Sequence, residues 1–417
     1  MPLSRGCIAH PGNSNAKKGY ETPMQYQFSD KISTLQPSAI REILKFTADP
    51  EVVPFAAGNP APEAFPVQLI ADITADIFAS QPFAALQYSL TEGYPPLREM
   101  LKTMMKNRYG IGRETDDLIV VSGAQQGIEL ACKVLCNEGD VILCERPTFI
   151  GTLNSFKSYN TRLIGIDADD NGLDLDAMEQ ALKQNSVRLV YVIPNFQNPS
   201  GRTMSLSTRK DVYALAKKYG AIILEDNPYG ELRFTGEDIP SIKSFDEDGI
   251  VIYCGSFSKV LSPGLRVGYV CAPAPIVQKI VVAKQASDVH TSILSQMICA
   301  QFLTRVDYDG HITHLRDIYR KKCTLMLGCM DTGFGGKITY TRPEGGLFLW
   351  CTLPEGSDMM GFCREAVQRK VAVVPGSAFM PGDNDPTVSF RMNYSTPADH
   401  QIQQGVDILS SLIREKF

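Results

Sequence analysis

A chain of 417 residues with 44% hydrophobic and 21% charged residues has the make-up of a soluble globular protein, and it is too long for a single hydrophobic core. A net charge of −5 without a basic cluster argues against nucleic acid as a partner, and no apolar run is long enough to span a bilayer, so no membrane role is expected. The eleven cysteines are odd in number and lack framework spacing, which points to a reducing, cytoplasmic setting.

The first residues, MPLSRGCIAHPGNSNAKKGYETPMQ, are small and polar and lack the apolar stretch of a secretory signal; residues 1–30 are expected to form a flexible arm. Residues 31–74 are expected to contribute to a smaller domain and to the site. From 75 to 305 short aliphatic runs alternate with amphipathic stretches. DLIVVSG reads as strand, AQQGIELACKVLC as helix, GDVILCERP and TRLIGID as strands, LDLDAMEQALKQ as helix and VRLVYVIPN as strand. SLSTRKDVYALAKKYG then reads as helix, followed by the strands AIILEDN, GIVIYCGS and RVGYVCAP. Continuous Val/Ile runs separated by helices predict a mostly parallel sheet covered on both faces, an α/β domain. PAPIVQKIVVAKQASDVHTSILSQMICAQFL reads as one helical stretch bridging to the C-terminal part of the chain.

Residues 306–417 have a different pattern. KITYTRPEGGLFLWCTL alternates like an antiparallel hairpin, SDMMGFCREAVQRK is helical, VAVVPG and TVSFRMNYS are strands, and ADHQIQQGVDILSSLIREKF is a closing amphipathic helix. This predicts a smaller α+β domain. Cys132 and Cys136, four apart on a helix, have no further ligand nearby, and His311 and His314 lack the Glu of a zinc helix, so no metal is expected.

In open parallel sheets, ligands bind beyond the carboxyl ends of the strands. There the sequence puts Gly123-Ala124-Gln125 at a helix start, whose free N–H groups suit an anion, with Ser256, Ser258 and Arg266 as further donors. It also puts Asp226 at the end of AIILEDN, Asn198 in NFQNPSG, Phe149 in RPTFIG and Lys259 in SFSKVLSPGLRVGY. Asn198 and Asp226 also suit turns on their own. A phosphate cradle, a carboxylate, an aromatic and an amine that burial would turn into a nucleophile are together what pyridoxal 5′-phosphate needs.

The segments SFSKVLSPGLRVGY, EDNPYGEL, PNFQNPSG, SGAQQGIEL and YSLTEGYPPLRE resemble the fold-type I pyridoxal-phosphate aminotransferases of class I/II, in the branch holding 2-aminoadipate, aromatic and kynurenine aminotransferases. The resemblance covers the chain from about Ile32 onward. It implies that Lys259 carries the cofactor covalently and shuttles the proton, that Asp226 pairs with the ring nitrogen, and that Tyr229 and Asn198 bond the phenolic oxygen. Phe149 takes the stacking position where relatives often carry Tyr. Gly123, Ala124, Gln125, Ser256, Ser258 and Arg266 form the phosphate cup, with Ala124 where relatives often have Ser. Tyr88 implies a homodimer with shared sites. Arg391 is implied to hold the substrate α-carboxylate, helped by Asn198 and the backbone of Gly58, and Arg41 to meet an acidic side chain.

The expected activity is transfer of the amino group of an L-amino acid (2-aminoadipate, aromatic or similar) to a 2-oxo acid such as 2-oxoglutarate. Two alternatives stand beside it. One is a lyase on the same scaffold. The other is a non-catalytic effector domain of a transcription regulator, against which the N-terminal segment is short and has no basic recognition helix.

Overall fold

The computed structural model describes residues 26–33, 49 and 51–417. The expected arm up to residue 25 and Arg41 lie outside the described residues. The seven aliphatic runs become the strands β1 (Asp116–Val121), β2 (Val141–Arg146), β3 (Arg162–Asp169), β5 (Val187–Val192), β6 (Ile222–Asp226), β7 (Val251–Ser256) and β8 (Gly268–Pro273), and a two-residue strand not expected from the sequence, β4 (Gly172–Leu173), joins them where Leu173 reads as helix. They form one sheet in the order β1-β8-β7-β6-β5-β2-β3-β4. Strands β3, β2, β5, β6 and β7 are mutually parallel. Strand β8 runs against both β7 and β1, and β4 runs against β3.

The helices flanking this sheet include α1 (Val67–Ser80), α2 (Pro95–Tyr109), α3 (Ala124–Leu135), α4 (Ile150–Lys157), α5 (Leu175–Gln184) and α6 (Leu206–Tyr219). A strand buried on both faces sends alternate side chains to opposite sides. In β2 and β5, Val141, Leu143, Val190 and Val192 join Met178, Leu182, Val212 and Ala216 of α5 and α6. Their neighbours Ile142, Cys144, Leu189 and Tyr191 join Ile128, Leu153 and Phe156 of α3 and α4 on the other face. In β6, Ile223 belongs to the α5/α6 face and Leu224 to the α3/α4 face, so Asp226, two residues beyond Leu224, shares the α3/α4 face. Glu225 points the opposite way and accepts the backbone N–H groups of Ile242 (3.0 Å) and Lys243 (2.8 Å).

The stretch expected to be one bridging helix is two, α7 (Ala274–Ser287) and α8 (Ile293–Arg305). The break has a local cause. Asp288 closes α7 by accepting from Lys284 (2.8 Å), and Ser292 caps α8 by accepting from the N–H of Ser295. Among the described residues, no helix is long and apolar enough to cross a membrane.

The 26-residue helix α9 (Tyr308–Gly333) leads into the smaller unit. Its sheet has the antiparallel order β11-β12-β10-β9, with β9 Thr339–Tyr340, β10 Phe348–Thr352, β11 Val374–Pro375 and β12 Ser389–Asn393. The predicted hairpin is the β9–β10 pair. Helices α10 (Met359–Gln368) and α11 (Asp399–Lys416) complete the unit. Residues from the N-terminal side join it: Val53 bridges Val371, and the N–H of Asn393 donates to Phe55 O at 2.8 Å.

Candidate active site

The parallel strands all present their carboxyl ends at one edge of the large sheet. Reversal of β8 brings Arg266, two residues before its start, to that same edge. A cavity of about 490 Å³ opens there, and its wall includes Ala124, Gln125, Phe149, Asn198, Asp226, Tyr229, Ser256, Ser258, Lys259, Arg266, Arg391 and Gly58. Twelve of the residues singled out in the sequence therefore meet at one place.

At one end, α3 begins without a side-chain cap on Gly123; the Gln126 N–H turns back to Gly123 O (3.1 Å), while the N–H groups of Ala124 and Gln125 come before any acceptor within the helix. Gly123 has φ +82°, and a Cβ there would sit 2.3 Å from Arg266 Nη2. Arg266 itself adopts a left-handed φ of 54° and donates to Ser122 O at 3.2 Å. A Cβ on Gly268 would come within 2.6 Å of the Ala124 nitrogen, so β8 can pass close under the helix start only with glycine there. The side-chain amide of Gln125 is committed to Gly151 O (3.1 Å) and Ser155 Oγ (2.7 Å), which leaves its backbone N–H to face an anion.

Lys259 lies in the turn after β7. Its Nζ donates to Gly58 O at 2.8 Å. Burial pushes the ammonium down to about 8, with the guanidinium groups of Arg391 and Arg266 acting in the same direction. His311 of α9 braces this turn, its Nε2 donating to Val260 O at 2.6 Å.

Asp226 is almost fully buried, and burial pushes its carboxyl up to about 7. Its Oδ2 accepts from Tyr191 Oη at 2.8 Å, and its Oδ1 has no partner. Tyr191 Oη in turn accepts from Thr152 Oγ1 at 3.0 Å. Tyr229 is buried between Asp226 and the Asn198 side chain, and burial raises its phenol well above the ordinary range. Glu145, also buried, is pushed up to about 8, chiefly by burial.

Arg391, on β12, donates Nη1 to Asn198 Oδ1 (2.9 Å) and Nη2 to Ala56 O (2.8 Å). Its guanidinium carbon lies 4.4 Å from the Phe348 ring centre and 5.0 Å from that of Phe379. Its Nε is buried without a partner, and burial lowers its pKa to about 10. Among the described residues only six buried side-chain polar atoms lack a partner, and two of them, Asp226 Oδ1 and Arg391 Nε, belong to this one cavity. Buried polar groups are nearly always paired, so these two mark where a bound molecule supplies the missing partners.

Tyr88 is not brought into this cavity. It is 80% exposed, with its ring edge-on to His290. Sequence reasoning missed Tyr191, Thr152, Phe348 and Phe379. The signal for Tyr191 was present: a hydroxyl inside the aliphatic run VRLVYV needs a buried partner. Phe348 and Phe379 carried no signal, because apolar residues of the smaller unit look like core. No group of His, Cys, Asp and Glu able to hold a metal ion occurs among the described residues.

Residues 50–409 match the family model "Aminotransferase class I and II". The chain is 39% identical to aromatic-amino-acid aminotransferase 1 of Thermococcus litoralis over 96% of its own length and 98% of that protein's. It is 37% identical to 2-aminoadipate transaminase of Thermus thermophilus, over 93% of this chain and 96% of the relative. Among solved structures, kynurenine aminotransferase of Pyrococcus horikoshii, crystallised with PMP, KYN as substrates and KYA as products, superposes with a TM-score of 0.90 at 36% identity, covering 94% of this chain and 97% of that one. The chain therefore belongs to the class I and II aminotransferases, with the fold-type I architecture, in the branch that holds the aromatic, 2-aminoadipate and kynurenine enzymes.

Proposed function

We propose that this aminotransferase binds pyridoxal 5′-phosphate in the cavity at the sheet edge and moves the amino group of an aromatic or 2-aminoadipate-type L-amino acid to a 2-oxo acid such as 2-oxoglutarate. One observation carries the reading: a single cavity holds an amine that burial brings close to neutrality, Lys259, and an open carboxylate oxygen, Asp226 Oδ1. The residues fit the cofactor. The uncapped start of α3, with Ser256, Ser258 and Arg266, suits the phosphate; Asp226 Oδ1 suits a protonated ring nitrogen; Tyr229 and the Asn198 amide suit the phenolic oxygen; Phe149 suits the ring face. When bound, this cofactor supplies an electron sink for the pair left when the substrate Cα–H breaks.

The chain's own residues supply the rest. Lys259, as a neutral amine, would take the Cα proton and return one on the way back. Asp226, held charged by a cationic partner, keeps the ring nitrogen protonated. Arg391, close over the rings of Phe348 and Phe379 and tied by Asn198 and Ala56, offers Nε–H and its uncommitted Nη–H groups to the substrate α-carboxylate. The relatives named for aromatic amino acids, 2-aminoadipate and kynurenine support that donor class.

A homodimer is part of the proposal, with Tyr88 reaching the neighbouring site. Phe83 (87% exposed), Leu86 (72%) and Tyr88 (80%) stand exposed on one short stretch, apolar surface that a second copy would cover. A cytoplasmic setting accords with the cysteines, since those in the described residues are free. The test is a half-reaction screen. Holoenzyme is mixed with each L-amino acid, and loss of the cofactor's long-wavelength absorbance is followed, with borohydride reduction and peptide mapping to Lys259. A protein that takes up no pyridoxal phosphate overturns the reading.

A further inference from the structure

We infer that Tyr191 is a positioning residue for Asp226, and that with Thr152 behind it Tyr191 fixes which carboxylate oxygen meets the cofactor ring. This role deepens the proposed function and rests on Asp226 facing the ring nitrogen. Tyr191 lies on β5 opposite Leu224 of β6, so Asp226 is its diagonal neighbour on the same face of the sheet. Its hydroxyl has one proton, which goes to Asp226 Oδ2 at 2.8 Å. Its lone pair accepts the Thr152 proton at 3.0 Å, which leaves the Tyr191 proton no competing acceptor there. The Phe156 ring packs edge-on against Tyr191 at 5.6 Å and holds the ring in place. The direction of this chain is thus fixed as Thr152 to Tyr191 to Asp226.

The carboxylate, so held, cannot rotate freely, and Oδ1 is left as the unpartnered acceptor. The donated proton also favours the charged carboxylate against burial. The other groups facing Asp226 do not do this. Glu145 on β2 repels its charge, and Tyr229 after β6 and Cys254 on β7 have their own ionisation suppressed beside it. Lys259 and Arg266 line the same cavity but sit on the turns after β7.

The experiment measures pyridoxal phosphate affinity of the full-length apoprotein from pH 5.5 to 9 by absorbance titration, in the wild type, Tyr191→Phe and Thr152→Val. Tyr191→Phe keeps the ring and its packing. It is expected to bind the cofactor on the order of 10-fold more weakly near pH 7 and to move the acidic limb of the affinity profile up by about one unit. Thr152→Val is expected to move both in the same direction by less. A Tyr191→Phe profile that superimposes on the wild type, with unchanged thermal stability, overturns the role of Tyr191. If Tyr191→Phe does not fold, an unmoved Thr152→Val profile overturns it instead. Failure of the wild type to bind the cofactor would defeat the underlying reading of the site, a different outcome from normal wild-type binding with unmoved variants.

Discussion

Lys259 and Gly58 join the two parts of the molecule at the site: the lysine Nζ, on the turn after β7, donates to the Gly58 carbonyl of the N-terminal segment at 2.8 Å. The nearby residues Val53 and Phe55 of that segment are tied to the smaller unit by backbone contacts. The amine thus stays satisfied while it waits for the cofactor, yet burial beside Arg391 and Arg266 holds it at about 8. Only the neutral amine attacks an aldehyde. The rate at which Lys259 of the apoprotein captures pyridoxal phosphate is therefore expected to rise about tenfold per pH unit up to about 8 and then level off, as followed by stopped-flow absorbance. A free surface lysine would keep rising towards pH 10. In Lys259→Ala the borohydride-stable adduct and all half-transamination are expected to vanish.

Asp226 makes the apoprotein's stability depend on pH in the direction opposite to a salt-bridged carboxylate. Its folded value of about 7 lies above the ordinary 3.8, so the folded chain holds an extra proton between those values. Stability contributed by this group is full near pH 4 and falls as pH rises towards 7. The cost at higher pH is at most ~4 kcal/mol at about 1.4 kcal/mol per unit. Lys259 acts in a separate window: its lowered value makes folding more favourable as pH rises from about 8 towards 10.5. Asp226→Asn is expected to stabilise the apoprotein at pH 7.5 and to flatten the denaturation midpoint between pH 4 and 7. The same substitution should leave the holoenzyme nearly without activity. Urea titrations of the apoprotein at several pH values check this.

Gly123 is expected to be intolerant of any side chain. An alanine there needs a strained φ of +82° and pushes Arg266 away from the helix start, because its Cβ would lie 2.3 Å from Nη2. Gly123→Ala is expected to bind inorganic phosphate and pyridoxal phosphate roughly 10- to 100-fold more weakly and to fold with a loss on the order of 1–3 kcal/mol. Arg266→Ala should weaken phosphate binding without that folding cost, since Arg266 is exposed. Thermal shift in phosphate buffers separates the two effects.

Much of this site could be read in the sequence because its residues sit at strand ends, and strand ends are marked by the switch from aliphatic runs to Gly, Asn, Pro and Ser. Asp226, Asn198, Lys259 and Gly123 are all of this kind. Alternation within the strands was legible too, and it assigns Tyr191 to a buried face. What it could not assign was the partner, since the pairing of β5 with β6 is a tertiary fact. Reversal of β8, which brings Arg266 to the same edge as Lys259, has no local signal either. The aromatic walls of Arg391 come from Phe348 and Phe379, whose role depends on how β10 and the 376–379 turn fold over β12. The break between α7 and α8 was missed because the apolar spacing continues through it, while Asp288 and Ser292 settle it by capping.

Arg391 yields the last prediction, which concerns the substrate rather than the cofactor. Its guanidinium lies close over two aromatic rings and is tied at two nitrogens by Asn198 and Ala56, so its orientation is largely set before substrate arrives. Such a preorganised fork suits a carboxylate held in two bonds, which every α-amino acid carries. Lysine can replace the charge but not the fork. Arg391→Lys is therefore expected to lower kcat/KM on the order of 100-fold for every amino donor by a similar factor, mainly through KM, while cofactor affinity stays within about twofold. Asn198→Ala should lower it less, because Ala56 O and the two rings still hold the guanidinium. Steady-state kinetics with an aromatic, an acidic and an aliphatic donor check the uniformity. A loss confined to one donor class would mean that Arg391 reads the side chain instead of the α-carboxylate.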